Sequence, residues 1–224
     1  MRNWSWLLIS ALAAAAQAAP PGRVDLYFEV LRNGSPVAEV THRLEHDGRV
    51  YQLTETWSGK GLYALLGTAR RTSRGMVRDD GLHPQEFRDE RTGRRTARAT
   101  FDWTANTMTL QYRGEARTEA LPSDASDRLA FLFDFAFSAP PAQEVSFHLM
   151  DGRGKSRHVY RVDGSERLAT PAGSFETLRL VRRTDDELAE IWLATGRSYL
   201  PVRIRVTEKD GASYDQVVKQ ISPP

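Results

Sequence analysis

Short segments with alternating apolar and polar residues follow one another along most of the chain, and turn residues separate them. Asn33-Gly34, Asp47-Gly48 and Asp151-Gly152 are among the dipeptides that mark these turns. Strand-length segments at such even spacing are typical of antiparallel sandwiches, barrels and strongly curved sheets. We therefore predict a mainly β protein, with a single antiparallel curved sheet that closes partly or fully into a barrel. The predicted strands are 24–31, 37–46, 49–57, 68–78, 82–91, 94–103, 107–113, 143–149, 155–162, 165–170, 175–184, 187–194, 200–208 and 213–221.

The pairing of the first two strands depends on the length of the loop between them. A two-residue loop at Asn33-Gly34 would place Phe28 opposite Glu39. A three-residue loop, 33–35, pairs Phe28 with Val40 instead, and a one-residue slip would invert every side chain. The apolar pattern therefore predicts the three-residue loop, with Gly34 in the left-handed region.

The next hairpin brings two ionisable residues onto an apolar face. A two-residue turn at Asp47-Gly48 pairs His42 with Leu53 and Val40 with Glu55. His42 and Glu55 then lie diagonally on one face, within about 8 Å. A buried carboxylate without a partner costs several kcal/mol, so Glu55 requires a histidine or arginine partner, or water. The pair is either a satisfied structural contact or a polar anchor at the bottom of an apolar pocket.

One segment predicts a helix among the strands. Ser123 is a plausible N-cap, the run 129–137 is almost wholly apolar, and Pro140-Pro141 ends it. Such a helix, of about fourteen residues, would be roughly 20 Å long. Only Asp127 and Asp134 form a polar stripe, so the helix is expected to be buried on several sides. It would either plug a curved sheet or cover an apolar ligand cavity. A shorter second helix is predicted over 59–67.

The candidate ligand-binding residues combine the polar pair with aromatic residues of the same regions. They are His42, Glu55, Trp57, Phe131 and Phe135.

The first eighteen residues have the pattern of an export signal. Arg2 gives a positive start, the stretch 4–16 is apolar apart from two serines, and Ala16-Gln17-Ala18 is a small-x-small cleavage pattern. The apolar stretch is too short for a membrane span. We expect residues 1–18 to be cleaved and 19–224 to form a single β-rich domain without a transmembrane span. The Ala- and Arg-rich composition favours a bacterial periplasm, and the absence of cysteine is compatible with export.

Familiar catalytic and metal-binding motifs do not fit this chain. Gly154-Lys155-Ser156 resembles the end of a phosphate-binding loop, but Leu149 stands where that motif needs a glycine. His42 and His46 would lie roughly 13 Å apart on a strand, too far to bind one metal ion. We therefore expect no metal, no cofactor and no catalytic residue.

The distribution of charge along the chain also limits the classes of binding partner to be expected. Residues 70–117 hold eleven arginines against seven carboxylates, yet the whole chain has a formal charge of only +2. This near-neutral balance disfavours nucleic acid as a binding partner. Arginines recur at even spacing on strand faces, as with Arg70 and Arg74, Arg94 and Arg98. These faces either protect sheet edges in solvent or meet anionic envelope molecules.

Several motifs occur along the chain in an order that resembles that of a known family. They include Leu121-Pro122-Ser123-Asp124, then Thr170-Pro171-Ala172-Gly173, then Glu190-Ile191-Trp192-Leu193 and Leu200-Pro201-Val202-Arg203. Together they resemble the exported bacterial family called domain of unknown function 3108 (DUF3108) over nearly the whole mature chain. The resemblance implies an exported β-rich protein and brings no established activity.

The leading functional hypothesis is a non-enzymatic periplasmic protein that binds an apolar or amphipathic envelope molecule, such as a lipid. Export, a concave β architecture and the Phe-rich segment motivate it. One alternative is a cell-envelope interaction or assembly factor that binds other envelope proteins. Another is a hydrolase of envelope polymers, which would need His42, Glu55 and a further acid or nucleophile in one cleft.

Overall fold

The computed structural model describes residues 20–223, so the predicted signal peptide lies outside the described residues. Within these residues, one sheet of fifteen strands contains nearly all the regular structure, with one short α-helix, α1 (Ala130–Asp134). The strands are β1 (Arg23–Arg32), β2 (Ser35–His46), β3 (Val50–Gly59), β4 (Thr68–Arg78), β5 (Gly81–Arg91), β6 (Ala97–Asp102), β7 (Thr107–Tyr112), β8 (Glu115–Ala120), β9 (Ala125–Asp127), β10 (Glu144–Met150), β11 (Lys155–Thr170), β12 (Gly173–Arg183), β13 (Glu187–Ala194), β14 (Leu200–Glu208) and β15 (Ser213–Ser222).

The sheet order is β8-β7-β6-β5-β4-β3-β2-β1-β15-β14-β13-β12-β11-β10-β9. All neighbours pair antiparallel except β9 and β10, which are parallel. The first and last strands meet at the centre, where β1 pairs with β15. The predicted antiparallel sheet is therefore confirmed.

The predicted strands correspond to observed ones, with three differences. The predictions 155–162 and 165–170 are one strand, β11, with an irregularity between Val162 and Ser165. The strands β8 and β9 were missed. The side chains of β8 are mostly exposed and β9 has only three residues, so neither shows the half-buried alternation that identified the others.

The pairing of β1 with β2 is as predicted, but the extra residue lies elsewhere. Phe28 is opposite Val40. The loop has only two residues, Asn33 and Gly34, both with positive φ (50° and 81°). A bulge beside Val37 then shifts the register by one and keeps the apolar face buried.

The pairing of β2 with β3 differs from the prediction by two residues. Asp47 is the first residue of the turn, because its Oδ1 accepts hydrogen bonds from the backbone N–H groups of Arg49 and Val50 (2.8 and 2.9 Å). His42 is therefore directly opposite Glu55 rather than diagonal to it. A shift of two preserves the face of every side chain, so the predicted shared face is retained.

The helix is much shorter than predicted. It has 5 residues, and the segment before it forms β9 rather than a first helical turn. Ser123 is not the cap; Asp127 Oδ1 accepts hydrogen bonds from the N–H groups of Leu129 and Ala130 (2.8 and 2.9 Å). The apolar run reflects burial in the core, where Phe133 is 0% exposed, rather than helix length. The second predicted helix is a 3-10 turn, Gly61–Leu66.

The sheet curves until its two halves touch, but it does not close. Ser73 in β4 donates to Asp127 in β9 (2.5 Å), and the backbone N–H of Leu82 in β5 donates to Asp134 in α1 (2.6 Å). β4 and β5 already have hydrogen-bonded strands on both sides, so this seam consists of side-chain contacts. The sheet keeps two edges, β8 and β9, and the fully closed barrel is wrong. Among the described residues, no helix is long and apolar enough to cross a membrane.

Candidate ligand-binding cavity

The concave face of the sheet encloses a cavity of about 410 Å³, which we call the inner cavity. Nine strands and the α1 region contribute to its wall, so only the folded sheet creates it. Its lining residues are His42, Glu55, Trp57, Arg71, Arg128, Phe131, Leu132, Leu149, His158, Tyr160, Arg182, Glu187, Ala189, Glu190, Ile191, Ile204, Val206 and Gln216.

Four of the five predicted binding residues line this cavity. His42, Glu55, Trp57 and Phe131 come together there from β2, β3 and α1. Phe135 does not line it. Its ring lies 5.9 Å from that of Phe147 and is 2% exposed, within the core.

His42 and Glu55 form a buried contact at the cavity wall. His42 Nε2 is 3.5 Å from Glu55 Oε2, and both side chains are almost fully buried. The rings of Phe28 and Phe133 lie 5.2 and 5.8 Å from the imidazole. Burial lowers the pKa of His42 despite the nearby Glu55 carboxylate, so the imidazole is neutral at pH 7.

Arg71, rather than His42, supplies the compensating charge for Glu55. Arg71 Nη1 donates to Glu55 Oε1 at 2.6 Å. Its Nε lies 3.6 Å from Asp89, which also accepts from Arg91 (2.8 Å) and Arg153 (2.9 Å). Burial by itself would raise the pKa of Asp89, but these guanidinium groups outweigh it and lower the pKa. The Asp89 carboxylate is thus ionised, and both carboxylates are held in place by arginines.

The opposite wall is also charged but balanced. Arg182 contacts Glu187, and Arg179 contacts Glu190. His158 is neutral at pH 7, because burial, together with the nearby arginines, lowers its pKa to about 4. The walls therefore offer hydrogen-bonding groups without a large net charge.

Polar atoms without hydrogen-bond partners concentrate around this cavity. Of nine such buried side-chain atoms among the described residues, six belong to residues that line it. They are His42 Nε2, Trp57 Nε1, Arg71 Nε, His158 Nδ1, Arg182 Nε and Gln216 Oε1. Such groups are rare in native interiors, where a buried polar atom is normally satisfied.

A second cavity of about 530 Å³, the rim cavity, opens at one end of the strands. Trp57 and Arg71 border both cavities, so the two adjoin. Four arginines and two tyrosines line the rim cavity, and none of its described lining residues is a carboxylate. They are Arg32, Arg71, Arg91, Arg94, Tyr63 and Tyr214.

Most of the polar residues that line the inner cavity were not predicted from the sequence. Only the need of Glu55 for a histidine or arginine partner pointed to Arg71, and the strand alternation could have found it, since Arg71 and Ser73 lie on the inner face of β4. His158, Arg182 and Gln216 show no local signal. No group of three metal-binding side chains occurs within residues 20–223. The regularly spaced arginines are partly engaged, since Arg74 and Arg98 contact Glu86.

Comparison with known proteins places this architecture in a family. Residues 23–217 match the family described as "Protein of unknown function (DUF3108)". The chain belongs to the DUF3108 family. The resemblance found in the sequence motifs is therefore confirmed. No match was found among curated proteins.

One solved structure has the same kind of fold as this DUF3108 chain. A β-barrel-like protein of the DUF1849 family from Brucella abortus matches with a TM-score of 0.59 and 7% identity, over 92% of this chain and 98% of that one. This likeness supports the curved-sheet fold alone. A protein provisionally described as a lipoprotein from Parabacteroides distasonis gives a TM-score of 0.37 and 10% identity, over 92% and 96% of the two chains. A TM-score this low does not establish a shared fold.

Proposed function

We propose that this DUF3108 protein binds an amphipathic molecule of the cell envelope, such as a lipid, in the inner cavity. The observation that carries the proposal is that buried side-chain polar atoms without a hydrogen bond converge on a cavity that apolar side chains also line. The predicted signal peptide supports a periplasmic location for this activity.

The polar side of the cavity is suited to a group that both accepts and donates hydrogen bonds. Trp57 Nε1 and Arg71 Nε are donors, and Gln216 Oε1, which lies beside the His42 imidazole, is an acceptor. A buried polar group without a partner costs about 1–3 kcal/mol. A ligand headgroup that satisfies several of these atoms would recover that free energy on binding.

The apolar side of the cavity is suited to a hydrocarbon part of the same ligand. Phe131, Leu132, Leu149, Ile191 and Ile204 all line it. Its volume of about 410 Å³ falls in the range of roughly 300–1,000 Å³ that is usual for small-molecule sites. Burial of apolar ligand surface contributes roughly 25 cal/mol per Å².

The lining chemistry favours binding over catalysis. None of the described lining residues is Ser, Thr or Cys, so the usual hydroxyl and thiol nucleophiles are missing from the wall. Glu55 and Glu190 are both held by arginines. If the protein were instead a hydrolase of envelope polymers, Glu55→Gln would abolish its activity on such polymers, which the binding proposal does not require.

Native mass spectrometry of the mature protein, purified from a periplasmic extract without detergent, tests the proposal. We expect a discrete additional mass that is lost on denaturation. Trp57→Phe removes the indole donor and should lower the bound fraction up to about tenfold. Trp192→Phe is the matched control, because Trp192 Nε1 donates to Glu166 outside the cavity.

A bare protein mass in every preparation would overturn the binding proposal. Crosslinking in the periplasm would then test the alternative of an envelope assembly factor. Equal losses of the additional mass in the Trp57 and Trp192 variants would also count against the inner cavity as the site.

A further inference from the structure

The turn Gly61–Leu66, which joins β3 to β4, exposes large apolar side chains beside the rim cavity, and we call it the tip. Leu62 is 83% exposed and Leu65 is 84% exposed. They are the most exposed large apolar side chains of the described residues, and Tyr63 between them is 39% exposed. Exposed apolar residues grouped on one projecting element indicate an interaction surface.

The tip is held firmly against the sheet. A Cβ added at Gly59 would lie 2.2 Å from the carbonyl oxygen of Tyr63, so the chain can fold back only because residue 59 is glycine. Gly67 has a positive φ of 80° and packs against Thr92 in the same way. The N–H of Lys60 donates to the carbonyl oxygen of Val37 (2.8 Å). The two leucines therefore project from a fixed base.

Two arginines beside the tip form no ion pair with a carboxylate of the described residues. They are Arg32 and Arg94, which line the adjoining rim cavity, and Glu208 attracts Arg32 only weakly. A hydrogen bond to Tyr63 raises the pKa of Arg32 and joins β1 to the tip. Lys60, by contrast, is neutralised by Glu29 and Glu39. The tip thus combines apolar side chains with available guanidinium groups and interfacial tyrosines.

We propose that the tip docks on a bilayer surface rich in anionic phospholipid. Leu62 and Leu65 would insert among the acyl chains, while Arg32 and Arg94 face the phosphate groups. Tyrosines such as Tyr63 favour the headgroup level, where one end of the ring is apolar and the other wet. An anionic bilayer matches both the exposed apolar area and the sign of the charge around it.

This docking is independent of whether a ligand occupies the inner cavity, but it would place the two adjoining cavities next to the membrane. The rim cavity lies behind the tip, and Trp57 and Arg71 separate it from the inner cavity. The proposed ligand could then move between bilayer and cavity without crossing open water.

Vesicle flotation with the mature protein tests the docking. We expect binding to vesicles of phosphatidylethanolamine with phosphatidylglycerol, and much weaker binding to phosphatidylcholine alone. Leu62→Ser with Leu65→Ser should lower the binding at least about tenfold, because two apolar insertions are lost. Arg94→Gln should lower it about fivefold on the anionic vesicles only.

Val50→Ser is the matched control, since Val50 is 48% exposed at the opposite end of β3 and should leave binding unchanged. Absence of vesicle binding, or equal binding by the double leucine variant, would overturn the docking. Equal binding to both vesicle types would overturn it as well. Native mass spectrometry of the double variant keeps the two proposals separate, because it should still carry the cavity ligand.

Discussion

Individual buried carboxylates in this protein are stabilised in two different ways. Glu55 and Asp89 lie beside guanidinium groups, so their charge is compensated. Asp127 is fully buried and has only hydrogen bonds, from Ser73 and from two backbone N–H groups. Burial raises the pKa of Asp127 to about 6, although these hydrogen bonds oppose the shift. Asp89, whose pKa is lowered, therefore stabilises the folded protein at neutral pH, whereas Asp127 stabilises it in acid.

The titration of Asp127 should be visible in the pH dependence of the free energy of unfolding. Its pKa in the folded protein is about 6 against an ordinary value of 3.8, so the folded state binds the proton more tightly. The stabilising contribution of this proton is present below about pH 4 and is lost as the pH rises through 6. Asp127→Asn should remove this loss. We expect the free energy of unfolding of the variant to rise by about 3 kcal/mol relative to that of the wild type between pH 4 and pH 8.

Urea unfolding of the wild type and of Asp127→Asn at several pH values measures this difference. Glu86 and Asp89 have lowered pKa values, so their contributions to stability increase as the pH rises. These contributions are the same in both proteins and cancel in the comparison. Parallel stability curves for the two proteins would contradict the prediction.

At the scale of elements, turn chemistry explains both the successful and the unsuccessful pairing predictions. Asn33-Gly34 forms the hairpin loop with both residues at positive φ, and the bulge beside Val37 sets the final register. The dipeptide Asp47-Gly48 predicts a turn with Asp47 at its first central position, but the Asp47 side chain caps the turn from the position before the central residues. Because strand pairing depends on which residue opens a turn, the two hydrogen bonds to the Asp47 side chain account for the two-residue difference between the predicted and observed pairing of β3.

Gly34→Ala should destabilise the first hairpin. Gly34 has a φ of 81° with open space around it, so an added methyl group meets only the backbone strain. We expect a loss of about 1 kcal/mol in the free energy of unfolding. Gly196→Ala is the control, because Gly196 has neither a positive φ nor close neighbours. Equal effects of the two substitutions in urea unfolding would contradict the role given to the turn.

For the whole molecule, the curvature of the sheet is fixed by a seam between its two halves, which no backbone-to-backbone hydrogen bond of the described residues crosses. Arg153, in the turn between β10 and β11, reaches Asp89 in β5, and Gly152 of the same turn packs against the backbone of Arg98 in β6. These contacts bring the walls of the inner cavity together. The cavity therefore depends on close approach at a few points.

Gly152→Ala should open this seam. A Cβ there would lie 2.4 Å from the backbone nitrogen of Arg98, in addition to the strain of a φ of 81°. Gly164→Ala is the matched control, because Gly164 also has a positive φ, 100°, but nothing within 4 Å. We expect the Gly152 variant to lose about 1–3 kcal/mol more in urea unfolding than the control. Equal losses would show that the close approach contributes nothing.

The sequence by itself determined the strand pattern, the shared face of His42 and Glu55, and the family. These follow from period-two alternation and local turn residues, which act over a few positions of the chain. Only the tertiary structure decided the rest: the short helix, the open seam, and the meeting of Arg71, His158 and Gln216 around one cavity. Those depend on contacts between strands far apart in the chain, and local pattern carries no information about which distant strands will face each other across a curved sheet.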